Sequence, residues 1–392
     1  MSASLPLERT VPTRVLYVIG SMGVGGAEQH LLTVSGALVR EGWQCEVFAL
    51  DPVGPLRASF ETAGVSVIGI DLPPFLGRLL PYPRLLARVR LMLAAPRLLW
   101  HLWRSRPQVI HFFLPAAYII GGIVSLCGPR ARRIMSRRSL NLYQSKYKLL
   151  RRIEHWLHSK MDRICGNSHS VINDLLSEGV RRERICLTYN GVAMDRFLGA
   201  RSRSEVRAEL GISEGALVFV IVANLIPYKG HADLLNAFET IKHRLPRDWV
   251  CLCIGRDDGI ENALQDQAER LGITAYIRFL GSRKDVPDLL AAADIGVLCS
   301  HEEGFSNAIL EGMAAGLPMV VTDVGGNAEA VTDGETGLVV PPHSPDQLGV
   351  ALLSLVDNPD RRYEMGECGK RRVLKLFSMQ ACLQAYVDIY RF

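Results

Sequence analysis

Two carboxylates set the first chemical expectation. In EGFSNAILEGMAAGLPMVVTDVGGNAE (303–329), Glu303 precedes a short apolar-periodic segment and Glu311 lies inside it, with seven residues between them. Ser306 reads as the N-cap of a helix over Ala308 to Ala315 that Gly316 stops. The first backbone N–H groups of such a helix, from Ser306 and Asn307 to Ile309, have no acceptor within it and point at an anion such as a diphosphate. Gly304 and Phe305 link Glu303 to this helix start, and Glu311, one turn further in, is placed to accept hydrogen bonds from hydroxyls. An anion bracketed by two carboxylates fits a sugar nucleotide, which has phosphates in the middle and diols at both ends.

A second candidate is the turn GSMGVGGAEQH (20–30), which follows an apolar run and enters a helix with Leu31, Val34 and Leu38 on one face. Its glycines permit close backbone approach to phosphate at a helix start. A dinucleotide enzyme would want GxGxxG, but from Gly23 and Gly25 the third position holds Glu28; Asp51, ending the next strand, keeps that alternative open. Arg137 and Arg138, just after another strand, offer cations to an acceptor phosphate.

The Glu303 and Glu311 spacing, the following GLPMVVTDVGGNAE, ETGLVVPP (335–342) and YNGVAMDRF (189–197) resemble the family 4 glycosyltransferases of the GT-B fold, over nearly the whole chain. That resemblance implies a retaining transfer from a nucleoside-diphosphate sugar, with no obligatory metal and no further cofactor. It implies that Glu303 contacts donor-sugar hydroxyls, that Glu311 holds the ribose, and that Gly25 and Gly26 line a cleft near the donor phosphates. The chain carries no Asp-x-Asp triplet, in keeping with a metal-independent scheme. A protein cation must then meet the charge of the leaving diphosphate, and Lys229 in VANLIPYKGH (222–231) is the simplest choice. Relatives pair this lysine with an arginine where this chain has Asn224, so that Lys229 acts alone or Arg283 in FLGSRKD (279–285) assists. Many relatives also read His-x-His at VIHFFLP (109–115), where this chain keeps His111 but has Phe113 as the second. A retaining front-side transfer can use the departing phosphate oxygen as base, so losing that imidazole need not abolish transfer.

These groups need strands to hold them. Short apolar runs alternate with longer helical patterns, the mark of βα units and a parallel sheet. Strands are expected at 15–20, 45–50, 66–71, 108–113, 132–136, 163–168 and 184–191, then at 217–225, 250–255, 276–281, 295–300 and 319–324. Two doubly wound, Rossmann-like α/β domains follow, over 1–195 and 196–370, facing a central cleft, with a last helix over 371–392 packing back towards the first. Ligands of this architecture bind at the carboxyl ends of the strands.

Composition bounds the rest. The 392 residues are 48% apolar and 22% charged, so the chain can build full cores. Nine cysteines without a CxxC pair argue against a zinc site or a disulfide framework and suit a reducing cytosol. No secretory signal is visible at the start. The nineteen residues from Val109 to Cys127 lack Asp, Glu, Lys and Arg, but His111, Pro115 and Gly121-Gly122 favour a buried strand and helix over a membrane span.

The net charge of +5 conceals an asymmetry, with 26 Lys/Arg against 13 Asp/Glu in residues 1–200 and 19 against 27 thereafter. Between Arg78 and Lys160, seventeen basic residues face one acid, Glu154. Interleaved with Leu, Trp and Tyr in 84–106 and 136–160, they suit a lipid-linked acceptor or an anionic membrane surface, with Arg84, Arg88 and Arg97 as contacts and Pro96 as an interruption. No nucleic-acid motif accompanies the charge. The expectation is a cytoplasmic enzyme, peripheral on the inner face of the membrane, building a cell-surface glycan. A sugar-nucleotide epimerase or a noncatalytic sugar-nucleotide-binding subunit are the alternatives.

Overall fold

The structure is a computed structural model and describes residues 13–71, 83–140, 144 and 147–391. It divides into two units. The first runs to Gly166 and includes Leu175–Cys186 and the chain end from Val387; the second comprises Asn167–Asp174 and Leu187–Tyr386. Against an expected change-over near residue 195, the continuous part of the second unit starts at Leu187. The last helix, Met379–Arg391, counts with the second unit up to Tyr386 and with the first from Val387.

The first unit holds a seven-stranded sheet in the order β3-β2-β1-β4-β5-β6-β7. Its strands are β1 (Arg14–Ser21), β2 (Gln44–Asp51), β3 (Ser66–Ile68), β4 (Val109–Phe113), β5 (Arg132–Arg137), β6 (Arg163–Gly166) and β7 (Ile185–Leu187). Pairing from β3 through to β6 is parallel. β1 and β4 are the central pair and are apolar on both sides, each with five consecutive buried residues, because parallel sheets carry helices on both faces.

The second unit holds a six-stranded sheet in the order β10-β9-β8-β11-β12-β13. Its strands are β8 (Leu217–Val222), β9 (Trp249–Ile254), β10 (Ile277–Gly281), β11 (Ile295–Leu298), β12 (Met319–Thr322) and β13 (Gly337–Val340). Period-two alternation divides β8 between two cores. Leu217, Phe219 and Ile221 pack with Leu234, Phe238 and Trp249 on one face, while Val218 and Val220 pack with Ile309, Leu310 and Met313 on the other. The twelve expected strands are all present, and β13 is additional. It is a four-residue edge strand on β12, where a Cβ at Gly337 would overlap the carbonyl of Met319.

Val109–Cys127 is a strand followed by the helix Pro115–Leu126, and no helix among the described residues is long and apolar enough to cross a membrane. The helix Pro83–Ser105 continues through Pro96, contrary to the expected interruption. The ring deprives the carbonyl of Met92, four residues back, of its partner, and Met92 faces solvent at 76% exposure. This helix packs on Pro115–Leu126, which packs on the helix Lys148–His158. Leu91, Met92, Leu93, Trp100 and Trp103 on the first, and Leu149, Leu150 and Trp156 on the third, are exposed. Arg97 and Arg104 lie over the ring of Trp100, and Lys160 over that of Trp156. Arg88 is exposed, whereas the side chains of Arg84 and Leu85 lie outside the described residues.

Candidate functional site

The order of the second sheet reverses between β8 and β11, and the loops leaving the carboxyl ends of these two strands define an open-sheet ligand position. After β8 the chain makes one tight turn, Pro227–Lys229, and passes through Gly230 at φ +73°. A Cβ at Gly230 would overlap the carbonyl oxygen of Cys299, so the turn lies directly on the end of β11. This close approach brings Lys229 to Glu303. The Lys229 Nζ donates to Glu303 Oε1 at 2.5 Å, and the Ser300 hydroxyl donates to the same oxygen at 2.9 Å. The two side chains are 18% and 11% exposed, which leaves their charges less screened than those of a surface pair. His231, the second residue after Lys229, is buried, and burial together with the Lys229 charge pushes its imidazole down to about 4.

The loop carrying Glu303 is held from three sides. Gly325, at φ +55°, sits where a Cβ would overlap the Glu303 carbonyl, and the Gly326 N–H donates to the Gly304 carbonyl at 2.9 Å. The Asn190 amide donates to the Phe305 carbonyl at 2.9 Å and to Asn307 Oδ1 at 2.6 Å. Phe305 is buried against Tyr189 and Phe377, with ring centroids 4.9 and 5.4 Å away. The helix that follows is Asn307–Ala314, and Ser306 occupies its N-cap with extended backbone (φ −82°, ψ 124°). The expected side-chain cap is not made, so the serine hydroxyl does not occupy the first-turn N–H groups. Glu311 is withdrawn into this helix. Burial pushes its carboxyl up, and Arg196, 3.1 Å away, opposes the shift.

Asn224, which stands in place of the relatives' arginine, and Arg283, the residue expected to assist Lys229, each have a partner of their own. Asn224 Oδ1 accepts from the Arg256 N–H at 3.2 Å, tying the loop after β8 to that after β9. Arg283 makes a two-pronged pair with Asp285 at 2.8 and 2.6 Å, so the charge expected of it is already matched by its own loop.

The first sheet reverses between β1 and β4. There Gly25 is the N-cap of the helix Gly26–Arg40, and a Cβ at Gly25 would overlap the carboxylate of Glu28, which folds back over it. Gly26 has open space around it. The expectation for His111 is corrected. Its ring is fully buried, with Nδ1 2.7 Å from the Tyr390 hydroxyl and Nε2 2.8 Å from the Ser136 hydroxyl. An imidazole so enclosed joins β4, β5 and the last helix and does not meet a reactant. Burial, with the charge of Arg138 adding, holds both His111 and His30 well below the ordinary histidine range.

The expectation for Arg137 is corrected too. Its side chain is 3% exposed and binds Glu154 at 2.8 Å and Glu178 at 2.7 Å, so a buried ion pair replaces the imagined phosphate contact. Glu154, the one acid in the basic stretch, is there as its partner. Arg138, one residue on, is half-buried.

Comparison with known proteins decides what the arrangement belongs to. Residues 24–196 match the family model described as Glycosyltransferase Family 4, and residues 202–372 match Glycosyl transferases group 1. The chain belongs to the family 4 glycosyltransferases. A D-inositol 3-phosphate glycosyltransferase of Streptomyces avermitilis is 30% identical over 239 residues, covering 58% of this chain and 51% of that protein. One from Corynebacterium jeikeium is 36% identical over 209 residues, covering 51% and 50%. The chain thus spans about half the length of the curated relatives it matches. Among solved structures, Anabaena HepE in complex with UDP superposes with a TM-score of 0.82 at 21% identity, covering 96% of this chain and 99% of that one. WaaG, a glycosyltransferase involved in lipopolysaccharide biosynthesis, gives 0.73 at 18% identity, covering 96% and 99%. Both show the GT-B fold.

Within this family 4 chain, sequence reasoning missed the groups that hold the site rather than those that line it. Asn190 sits in the YNGV stretch that carried the resemblance, yet its role needs the contact to Phe305, 115 residues away. Glu329, the last residue of the long motif, accepts from the His169 and Ser170 N–H groups at 2.8 and 3.1 Å and from the Tyr189 hydroxyl at 3.1 Å. A carboxylate ending a glycine-rich motif was the only signal for it.

Proposed function

We propose that this chain is a retaining glycosyltransferase that moves a hexose or N-acetylhexosamine from a nucleoside-diphosphate sugar to a lipid-linked or growing cell-surface glycan. The observation that carries the reading is the Lys229–Glu303 pair at the β8/β11 reversal, beside the uncapped start of the helix Asn307–Ala314. In the free protein the ammonium and carboxylate neutralise each other. A diphosphate entering at the helix start offers Lys229 a stronger partner, and Glu303, released, accepts from donor-sugar hydroxyls. As the glycosidic bond breaks, negative charge grows on the leaving phosphate, and Lys229 stabilises it more than it stabilises the ground state. Glu311 takes the ribose hydroxyls in place of Arg196. The departing phosphate oxygen removes the acceptor proton, so no protein imidazole is required, which agrees with the enclosure of His111. No step needs a metal.

HepE has been solved with UDP and with UDP-glucose, which supports a uridine diphosphate donor here. The acceptor class rests on the first unit. Exposed Trp100, Trp103 and Trp156 with Arg97, Arg104 and Lys160 over two of the rings form the side-chain mixture of a membrane interface, and this reading places the enzyme on an anionic inner leaflet.

The deciding experiment is a binding screen of the purified protein against UDP-, GDP- and ADP-sugars, followed for each binder by assay of slow donor hydrolysis and of transfer to a lipid extract. Binding with release of sugar and nucleotide, or transfer, is the expected result and names the donor. Binding without turnover in either assay would replace the enzyme by a noncatalytic sugar-nucleotide-binding subunit. No binding would remove the donor site.

A further inference from the structure

A second cluster of ligating groups lies in the same unit and takes no part in the transfer scheme. Asp233 stands in the first turn of the helix His231–Ile241, His301 in the loop after β11, and His343 in the loop after β13. Their ligating atoms all lie within 4.8 Å of one another. His301 Nε2 is 2.8 Å from Asp233 Oδ2, and the rings of His301 and His343 are 3.7 Å apart at their centroids. Asp233 and His301 are partly buried at 21% side-chain exposure, whereas His343 is exposed.

We propose that Asp233, His301 and His343 form a binding site for a divalent transition metal of the zinc class. The donor set decides the class. Two imidazoles and one carboxylate suit zinc and its neighbours, while calcium and magnesium take oxygen ligands. Three protein ligands leave the fourth tetrahedral position to water or an incoming anion. The inner pair is fixed and the exposed imidazole closes over it, which gives the ion an entry path from solvent. Because the ligands come from three separate segments, the ion acts as a staple. It joins the helix that starts just after Lys229 to the loop that carries Glu303, and joins both to the edge of the sheet at β13. The site is independent of the transfer reading, and its test does not use activity.

The test is titration of the chelator-treated full-length protein with zinc by calorimetry, and with cobalt by visible absorption. One equivalent should bind, the cobalt form should show the d–d bands of a tetrahedral nitrogen and oxygen site, and zinc should raise the melting temperature. His343→Ala, whose exposed side chain the fold does not need, should weaken binding by more than about tenfold, the lower end for losing even an outer-shell partner. Asp233→Asn, with folding checked by circular dichroism, should do the same. Absence of stoichiometric binding, binding unchanged in His343→Ala, or a thiolate-to-cobalt charge-transfer band placing the ion on a cysteine would each overturn the proposal.

Discussion

The two sheets reverse their strand order in the same way, but the two reversals are filled differently. In the first, the residues with chemical potential are enclosed by their own unit. His111 is sealed between Ser136 and Tyr390, Arg137 between Glu154 and Glu178, and Glu28 covers Gly25. In the second, Lys229 and Glu303 meet on loops that reach past the strand ends, partly exposed, with each other as chief partner. A buried charge with two strong partners is a packing element, because separating them costs far more than an outside ligand returns. A partly exposed ion pair, whose carboxylate has only the neutral Ser300 hydroxyl besides the ammonium, can exchange its charged partner for a ligand. Topology supplies two equivalent positions, and the local pairing decides which one is free to react.

The sharpest way to break this comparison is Lys229→Ala. If the ammonium meets the leaving phosphate, its loss should lower kcat by about a hundredfold to a thousandfold, roughly 2.7–4 kcal/mol, as for an oxyanion-hole donor. Single-turnover kinetics at saturating donor read this directly. A loss below about tenfold would show that another cation serves. Glu311→Ala comes next, with an expected rise in the donor dissociation constant. Losing a charged hydrogen bond to ribose is worth about 1.5–3 kcal/mol, and unchanged affinity for the nucleotide would remove the assignment.

How far the sequence revealed this difference can be argued from the same residues. The strands were legible, since β1 and β8 are uninterrupted apolar runs flanked by turn residues; β13 escaped because four residues beginning with Gly337 carry too little pattern. Glu303 and Glu311 stood out as candidates because their spacing is local, and Lys229 by its own short motif, whereas the pairing of Lys229 with Glu303, 74 residues on, needed the fold. His111 and Arg137 were misread because what silences them is remote. Tyr390 lies 279 residues from His111, and Glu178 lies 41 from Arg137. A residue type at a strand end announces chemistry, whereas its partners across the fold determine whether the chemistry is available.

The first reversal has its own test, in stability and not in rate. His111→Ala should cost about 1–3 kcal/mol by taking a partner from the buried Ser136 and Tyr390 hydroxyls, while kcat per folded molecule stays the same. Acid should act at the same place. His30 and His111 are held neutral in the folded state, so below about pH 6.5 the unfolded chain binds more protons and stability falls as pH falls. Each such histidine contributes a slope of about 1.4 kcal/mol per pH unit until its depressed folded-state value is reached. Urea unfolding at pH 7.5 and pH 5 reads the difference, and His111→Ala should flatten it. An equal pH dependence in the variant would mean that His111 is not held neutral by its burial.

The smallest effect belongs to the surface that the first unit turns to solvent. Arg88 and Arg97 are exposed on the helix Pro83–Ser105, and Arg97 lies 4.5 Å from the centroid of the Trp100 ring. A guanidinium at an exposed indole keeps its charge at headgroup depth while the ring enters the acyl boundary. Each arginine near an anionic surface contributes about 1 kcal/mol, so replacing both by Gln should reduce binding to phosphatidylserine vesicles by about tenfold to thirtyfold at low salt, and by less at physiological salt. Trp100→Ala should weaken binding at both salt concentrations, because its contribution is apolar area and not charge. Vesicle co-sedimentation distinguishes the two terms. If the arginine variant retains its bound fraction at low salt, the basic stretch of the first unit serves solubility alone, and the acceptor must be recognised without a membrane surface.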